Sequence, residues 1–425
     1  MRIAFLSPSG QFGGAETSLR EILGNLRTAA PNWDLWLVLG QDGPLAEYAR
    51  ERGVRVIVAP FPRSLARAGD AQASRGKVMA SLAGASLGAL LYRRTLRRIL
   101  RSISPDIIHS NGLKMHLLGA LCRPTNARLI WHIHDYVSAR RSMRRLLSVS
   151  QGACSLAIAN SNSVARDLKA IAPGLRIVTV YNAVDVDRYS PAGPALDLDT
   201  CCGLPPAGPE TIRVGLVATF ARWKGHKVFL QALGRLAGEP NIRGYIVGGP
   251  IYQTGGSQWS IEELQQYVRQ MGLEDRVGFT GFLSDTAAVM RSLDIVVHAS
   301  TEPEPFGMVI IEAMACGRPV IVASAGGARE IANGGQIGGL YSPGDAAELE
   351  RQIERLARNE QLRFKAGRQG RQAAVDSFSG PRLMKRLLSI YGSLFAAVGV
   401  GQNDLDLVGD LATEEALEGA CQRNA

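Results

Sequence analysis

Short apolar runs alternate with amphipathic stretches along the chain up to about residue 180. The amphipathic stretches, such as 14–27 and 161–171, carry apolar residues at the spacing of one helix face. Strands alternating with helices in this way are typical of a parallel, doubly wound sheet. The predicted strands are 2–7, 34–39, 54–59, 106–109, 128–133, 155–159 and 176–180.

The alternation stops at residues 190–210, where Pro, Gly and small residues predict a linker. A second α/β series follows, as expected for a chain of 425 residues, which is too long for one ordinary core. We therefore predict an N-terminal domain over 1–189 and a C-terminal domain over 211–379, with a ligand-binding cleft between the carboxyl ends of the two sheets. The predicted strands of the second series are 212–218, 242–248, 276–280, 294–298 and 319–323.

The end of the chain is expected to contain one more helix and a tail. The helix, over about 380–398, is expected to pack back on the N-terminal domain. Residues 399–425 are predicted to form a mobile acidic tail, because their acidic residues show little helical periodicity.

The chain carries a formal net charge of +10, which favours an anionic partner such as a nucleotide or a membrane surface. Two basic clusters are interleaved with Leu and Ile, and they fit either an anionic lipid surface or a solvated helical face. Nucleic acid is not expected, because no aromatic interleaving or binding motif accompanies the charge. The clusters are Arg93, Arg94, Arg97, Arg98 and Arg101, and then Arg140, Arg141, Arg144 and Arg145.

Cysteine usage and hydropathy favour a cytoplasmic protein. None of the six cysteines forms a CxxC pair, and no His/Cys cluster has the spacing of zinc ligands. The apolar run 78–91 is shorter than the roughly 20 residues that a bilayer requires. The first residues read as a strand that leads directly into a glycine loop, which differs from a secretory leader.

The most informative stretch is 298–319, HASTEPEPFGMVIIEAMACGRP, which leaves a strand, crosses a Pro-rich loop and enters a helix. Gly307 leaves room for a ligand to approach the backbone. The amides of Gly307, Met308 and Val309 are predicted to form a helix N-terminus, which is a binding site for a diphosphate.

Two carboxylates frame this turn. Glu304, on the loop, can reach a sugar in the cleft, and Glu312, on the helix, can accept hydrogen bonds from ribose hydroxyls. An isolated pair of glutamates would more often be a loop charge and a helix-surface residue. The surrounding Pro, Gly and helix start favour the functional interpretation.

A second glycine turn, Gly13-Gly14-Ala15-Glu16, follows the first predicted strand. Glycines there allow main-chain amides to approach a phosphate at the start of the next helix. A dinucleotide site of the Rossmann type is disfavoured, because GxGxxG is absent and the second strand ends without an obvious acidic ribose ligand.

These motifs resemble glycosyltransferase family 4, whose members have the two-domain GT-B fold. The family's signature stands here as Glu304-Pro-Phe-Gly and Glu312-Ala-Met-Ala-Cys-Gly-Arg-Pro-Val. It continues through Gly326-Gly327, Glu330 and Tyr341-Ser-Pro-Gly-Asp345, and the resemblance spans residue 1 to about 395.

The resemblance implies roles for further residues. His134, with His132 as the alternative, would reach the transferred sugar or the acceptor, and Lys224 would neutralise the departing diphosphate. Glu304 is the third expected catalytic residue. The family's usual arginine is replaced by Thr219, and Arg222 is the candidate substitute. The donor-binding residues expected from the motifs and the resemblance are Gly13, Gly14, Arg222, Gly249, Phe306, Gly307, Met308, Val309 and Glu312.

The expected reaction is a retaining sugar transfer from a nucleotide diphosphate sugar to a glycan, lipid-linked or small-molecule hydroxyl. No metal or cofactor is expected: Asp185-Val-Asp187 spells DxD, but similar strings recur at 197 and 404. Two alternatives remain open, namely another GT-B enzyme, such as a sugar-nucleotide epimerase or phosphorylase, and a non-catalytic sugar-nucleotide-binding subunit.

Overall fold

The structure is a computed structural model that describes residues 1–62, 78–239, 241–250 and 256–396. The predicted acidic tail, 399–425, lies outside the described residues, as do the side chains of 78–87.

A parallel sheet of seven strands forms the first domain, in the order β3-β2-β1-β4-β5-β6-β7. These strands are β1 (Arg2–Ser7), β2 (Asp34–Leu39), β3 (Arg55–Val58), β4 (Ile107–Asn111), β5 (Arg128–Ile133), β6 (Leu156–Ala159) and β7 (Ile177–Thr179).

A parallel sheet of six strands forms the second domain, in the order β10-β9-β8-β11-β12-β13. These strands are β8 (Ile212–Val217), β9 (Ile242–Val247), β10 (Val277–Gly281), β11 (Ile295–His298), β12 (Val320–Ala323) and β13 (Gly338–Tyr341).

Helices connect the strands of both sheets. Those of the first domain are α1 (Gly14–Ala29), α2 (Pro44–Glu51), α3 (Val78–Ile103), α4 (Leu113–Cys122), α5 (Arg141–Ser150) and α6 (Asn162–Ile171). The later helices are α7 (Leu198–Cys202), α8 (His226–Arg235), α9 (Ile261–Gln270), α10 (Thr286–Ser292), α11 (Met308–Ala315), α12 (Gly326–Ile331), α13 (Ala346–Ala357), α14 (Glu360–Ser377) and α15 (Gly380–Ala396).

Both faces of each sheet are buried, which explains why the strands read as continuous apolar runs. Successive side chains of β1 point to opposite faces of the sheet. Ile3 and Phe5 pack in one core with residues of α1, while Ala4 and Leu6 pack in another core on the opposite face. The predicted doubly wound fold with two α/β units is therefore confirmed.

Each sheet has a topological switch point beside its first strand. β1 lies between β2 and β4, and β8 lies between β9 and β11. Since ligands of doubly wound folds bind outside the carboxyl ends of the strands at such points, the loops after β1, β4, β8 and β11 are the expected ligand-binding loops.

The segment predicted as a linker is an ordered part of the second domain. Residues 198–202 form α7, and Asp199 accepts hydrogen bonds from Arg243 (2.6 Å) and Tyr245 (2.7 Å). These partners are more than forty positions away in the sequence, so the local Pro and Gly content gave no sign of them.

Two further features depend on distant contacts. The edge strand β13 was missed because glycines dominate residues 334–339, and glycine is depleted in strands. At the end of the described chain, α15 returns to the first domain and packs on α1, where Leu387 and Tyr391 are fully buried.

Candidate functional site

A cavity of about 370 Å³ lies between the two domains, at the carboxyl ends of both sheets. Its walls include the loops that follow β1, β8 and β11, the strands at the two switch points. The first domain supplies Gly14, Ala15, His134, Asn160 and Asn182. The second domain supplies Thr219, Lys224, Gly248, Phe282, Glu304, Phe306, Gly307, Met308, Val309 and Glu312, among others.

Glu304 is the most tightly held group of the cavity wall. Its residue is only 8% exposed, and its Oε2 accepts a hydrogen bond from Lys224 Nζ at 2.6 Å and from Ser300 Oγ at 2.9 Å. His298 Nε2 lies 3.3 Å from the same oxygen. Burial alone would raise the pKa of Glu304, but the Lys224 ammonium and the His298 contact outweigh it and hold the pKa far below its ordinary value. Glu304 is therefore a carboxylate at any working pH.

Lys224 owes its position to the residue that follows it. Gly225 has a φ of 75°, and a Cβ built there would lie 1.7 Å from the carbonyl oxygen of Ala299. Only glycine permits this close approach of the loop after β8 to the loop after β11. The approach brings the Lys224 ammonium next to Glu304.

A helix N-terminus opens on the cavity beside this pair. Gly307, with a φ of 105°, is the N-cap residue of α11, and Met308 and Val309 form the first turn of the helix. All three line the cavity. Since the first amides of a helix have no intrahelical partner and the helix dipole is positive there, this turn can bind an anion.

Glu312 lies one turn further along α11, and it also lines the cavity. Burial raises the pKa of this carboxyl to about 7, although Arg188 and Arg20 lower it in part. Unlike Glu304, this group therefore changes its charge near neutral pH. The two carboxylates, eight positions apart in sequence, have opposite pKa shifts because only Glu304 has a lysine in contact.

The wall of the first domain presents a glycine and a histidine. A Cβ built on Gly14 would meet no atom of the described chain within 4 Å, so the first turn of α1 is open to the cavity. His134 Nε2 lies 3.0 Å from Asn111 Oδ1, and burial lowers the pKa of His134 to about 4. This imidazole is neutral at ordinary pH and can take part in hydrogen bonding with hydroxyl groups.

The structure distinguishes between the two candidate histidines. His132 is 1% exposed and lies behind the wall, with its Nδ1 3.1 Å from His109 Nε2. Its ring centroid lies 4.0 Å from that of His134, with the two rings tilted by 37°. Of the two histidines, His134 is the one that lines the cavity.

Three of the sequence-predicted residues do not line the cavity. Arg222 donates to Glu263 at 3.0 Å and lies over the ring of Trp259 at 3.8 Å, and it is not among the residues that line the cavity. Gly13 is the N-cap residue of α1, and Gly249 packs against Phe282, while their neighbours Gly14 and Gly248 line the cavity.

Several residues that sequence reasoning left without a role also belong to the site. His298 and Ser300 contact Glu304, and Asn160 and Asn182 line the cavity from the first domain. His298, Ser300 and Asn160 end or follow buried parallel strands, and Asn182 lies between β7 and α7. Polar residues at the carboxyl ends of predicted strands would have been the signal to follow.

In the described part of the chain, no three His, Cys, Asp or Glu side chains lie together as a metal site would require. Asp185 instead accepts hydrogen bonds from the amides of Asp187 and Arg188 at 3.1 and 3.0 Å. None of the described helices is both long and apolar enough to span a bilayer.

Known proteins resemble this chain in sequence. It is 28% identical over 222 residues to N-acetyl-alpha-D-glucosaminyl L-malate synthase of Bacillus anthracis, covering 52% of this chain and 55% of the relative. It is 33% identical over 217 residues to D-inositol 3-phosphate glycosyltransferase of Mycobacterium marinum, covering 50% of this chain and 43% of the relative. The chain thus spans about half the length of these curated relatives.

A solved structure and two family models extend the similarity. The Anabaena protein HepE, solved with UDP-glucose, is 26% identical, with a TM-score of 0.73 over 92% of this chain and all of that one. The glycosyltransferase family 4 model matches residues 43–188, and the model of group 1 glycosyl transferases matches residues 207–373. With both domains matched and both glycine turns at one cavity, the chain belongs to glycosyltransferase family 4 and has the GT-B fold.

Proposed function

We propose that this protein transfers a hexosyl group from a nucleoside diphosphate sugar to an acceptor hydroxyl, with retention of anomeric configuration and without a metal ion. One observation carries the proposal: the Lys224–Glu304 pair lies in the same interdomain cavity as the N-terminus of α11. A cation and a helix N-terminus suit a diphosphate, while a buried carboxylate suits a sugar that becomes positive. UDP is the first nucleotide to test, because HepE was solved with UDP-glucose.

In the proposed reaction, the bond between the anomeric carbon and the diphosphate oxygen breaks as the acceptor oxygen bonds to that carbon. The acceptor proton passes to the departing diphosphate. Lys224 and the first turn of α11 stabilise the negative charge on that leaving group. Glu304, which is always ionised, stabilises the positive charge on the sugar ring. Neutral His134 orients a hydroxyl of the sugar or of the acceptor from the opposite wall.

A surface of the first domain, which we call the basic face, supports a proposal for the kind of acceptor. It consists of exposed residues on α3, α4 and α5, which pack on one another in that order. Leu146 and Val149 are 50% and 88% exposed, and they lie beside exposed Arg144 and Arg145. On the neighbouring helices the exposed residues are Leu90, Leu91, Arg94, Arg98, Arg101 and Leu121.

Exposed apolar side chains next to arginines fit the boundary between anionic headgroups and acyl chains. We therefore propose that the enzyme acts at the inner face of a membrane as a peripheral protein. A lipid-linked or membrane-attached glycan would be its acceptor, in polysaccharide or glycolipid synthesis.

The reaction class can be tested with purified protein, a panel of UDP-, GDP- and ADP-sugars, and excess EDTA. We expect one donor to raise the melting temperature and to be transferred or slowly hydrolysed in EDTA, with release of the nucleoside diphosphate. Turnover that stops in EDTA and returns with manganese or magnesium would contradict the metal-independent mechanism. An epimerised donor or a free sugar phosphate would indicate the other GT-B reactions, and binding without any turnover would indicate a non-catalytic subunit.

Lys224→Ala is expected to lower kcat by about 10²–10³, because it removes the cation that stabilises the leaving group. Arg222→Ala is the matched control: its guanidinium is held by Glu263 and Trp259, so kcat should stay near the wild-type value. Steady-state kinetics measure kcat for both variants, and their melting temperatures show whether the fold is intact. A severe defect in Arg222→Ala would show that this side chain moves onto the diphosphate, and an active Lys224→Ala enzyme would refute the leaving-group role.

Donor affinity should increase as the pH rises through about 7, because Glu312 then becomes a carboxylate. A carboxylate accepts hydrogen bonds from ribose hydroxyls more strongly than a neutral acid does. We therefore expect donor affinity to increase about tenfold across the transition. Calorimetry with an intact UDP-sugar from about pH 6 to 8 measures it, since the diphosphate diester does not titrate in that range. In Glu312→Gln the affinity should be lower and flat with pH; an unchanged pH profile in this variant would exclude Glu312 as the titrating group.

Binding to vesicles should depend on the basic face. A variant in which Arg144, Arg145, Leu146 and Val149 are all serine should bind phosphatidylserine vesicles at least thirtyfold more weakly, because each near-surface cation contributes about 1 kcal/mol.

The control variant changes Phe364, Lys365 and Arg368 to serine. These residues form an exposed apolar and basic group on α14 of the second domain, so their loss should have no effect. Cosedimentation with anionic and with neutral vesicles compares the two variants. Equal binding by both would place membrane contact elsewhere.

A further inference from the structure

Helix α6 of the first domain begins with more amide donors than its own cap can satisfy. The N-cap residue Ser161 accepts one of them, Val164 N, at 3.1 Å. The amides of Asn162 and Ser163 precede it in the first turn, where a helix offers them no partner. These two amides are available to an acceptor outside the helix.

A carboxylate from the other domain does so. Glu330, on α12, accepts from Asn162 N at 2.9 Å and from Ser163 N at 2.7 Å. The Tyr181 hydroxyl donates to the same carboxylate at 3.2 Å, and the Glu330 side chain is only 16% exposed. A negative charge at a helix N-terminus is favoured by the helix dipole and by charge-assisted hydrogen bonds. This contact therefore joins the two domains strongly and directionally.

The helix that carries Glu330 is also bound to the backbone of Glu304. The Gly327 amide donates to the Glu304 carbonyl at 2.7 Å, and Gly326 pairs with Glu304 in an isolated parallel bridge. A Cβ on Gly327 would lie 2.2 Å from the Pro305 carbonyl oxygen and 2.9 Å from Ser161 Cβ. At this point α12 is thus in close contact with both the Glu304 loop and the first domain.

We propose that Glu330 is a positioning residue: it holds the first domain against α12 and so fixes the cavity around Glu304. This inference rests on the proposed function for its kinetic consequence, but its structural part does not. Without the Glu330 contact, fewer molecules have both walls in place, and apparent donor affinity decreases in proportion to that fraction. Bound substrates contact both walls and restore the arrangement, so kcat decreases less than KM increases.

The test is Glu330→Gln, which removes the charge but keeps the size of the side chain. Small-angle X-ray scattering without ligand should give a larger radius of gyration than that of the wild type, and saturating UDP should restore the wild-type value. The Kd for UDP by calorimetry, and the donor KM, should rise about tenfold, the equivalent of one charge-assisted hydrogen bond. Tyr181→Phe, which removes one donor to Glu330, should shift both quantities in the same direction by a smaller factor.

Glu350→Gln is the matched control, because Glu350 pairs with Arg235 at 2.6 Å within the second domain. It should leave scattering, UDP affinity and KM unchanged. Wild-type scattering and wild-type UDP affinity in Glu330→Gln would overturn the inference. If the wild type transfers no sugar at all, the proposed function fails on its own, while the scattering comparison still decides the role of Glu330.

Discussion

The buried pair of Glu304 and Lys224 is the constraint on which the rest of the site depends. A carboxylate that is 8% exposed would become protonated if it had no cation. Lys224 comes from the loop after β8, and Glu304 comes from the loop after β11, the neighbouring strand. Their contact at 2.6 Å keeps the negative charge in place and brings an ammonium to the same spot. Two opposite charges thereby lie side by side in the wall of the cavity.

The backbone around this pair is shaped to make such a contact possible. At Gly225 the loops after β8 and β11 are so close that a side-chain methyl group would overlap the Ala299 carbonyl. Gly307 begins α11 with a positive φ, which residues with a side chain rarely adopt. Gly327 allows a similarly close approach at the seam between the domains, where a Cβ would overlap the Pro305 carbonyl. In each case glycine is required by close packing or backbone conformation, so these positions link the motif in the sequence directly to the geometry of the cavity.

The seam between the domains contains directional hydrogen bonds made by Glu330. The Glu330 carboxylate accepts hydrogen bonds from two amides of α6. An amide of α12 in turn donates to the backbone carbonyl of Glu304. Because residues of both domains line the cavity, its shape depends on such directional contacts between them. The neutral His134 and the ionised Glu304 belong to different domains, and neither wall alone encloses a substrate.

Local patterns in the sequence determined the fold class, most strand positions, and the two turns that carry Gly14, Glu304 and Gly307, with Glu312 one helical turn further on. They could do so because apolar runs, helix starts and backbone freedom at glycine depend on neighbouring residues. Lys224 was predicted from the resemblance to the family. Only the tertiary structure decided that Arg222 turns to Glu263, that His134 rather than His132 lines the cavity, and that His298 and Ser300 contact Glu304. It also decided that Glu330 caps a helix of the other domain, and that Glu304 and Glu312 differ in pKa. Side-chain direction, burial and charge pairing arise between residues that are far apart in sequence, and for that reason they follow from packing rather than from any local pattern.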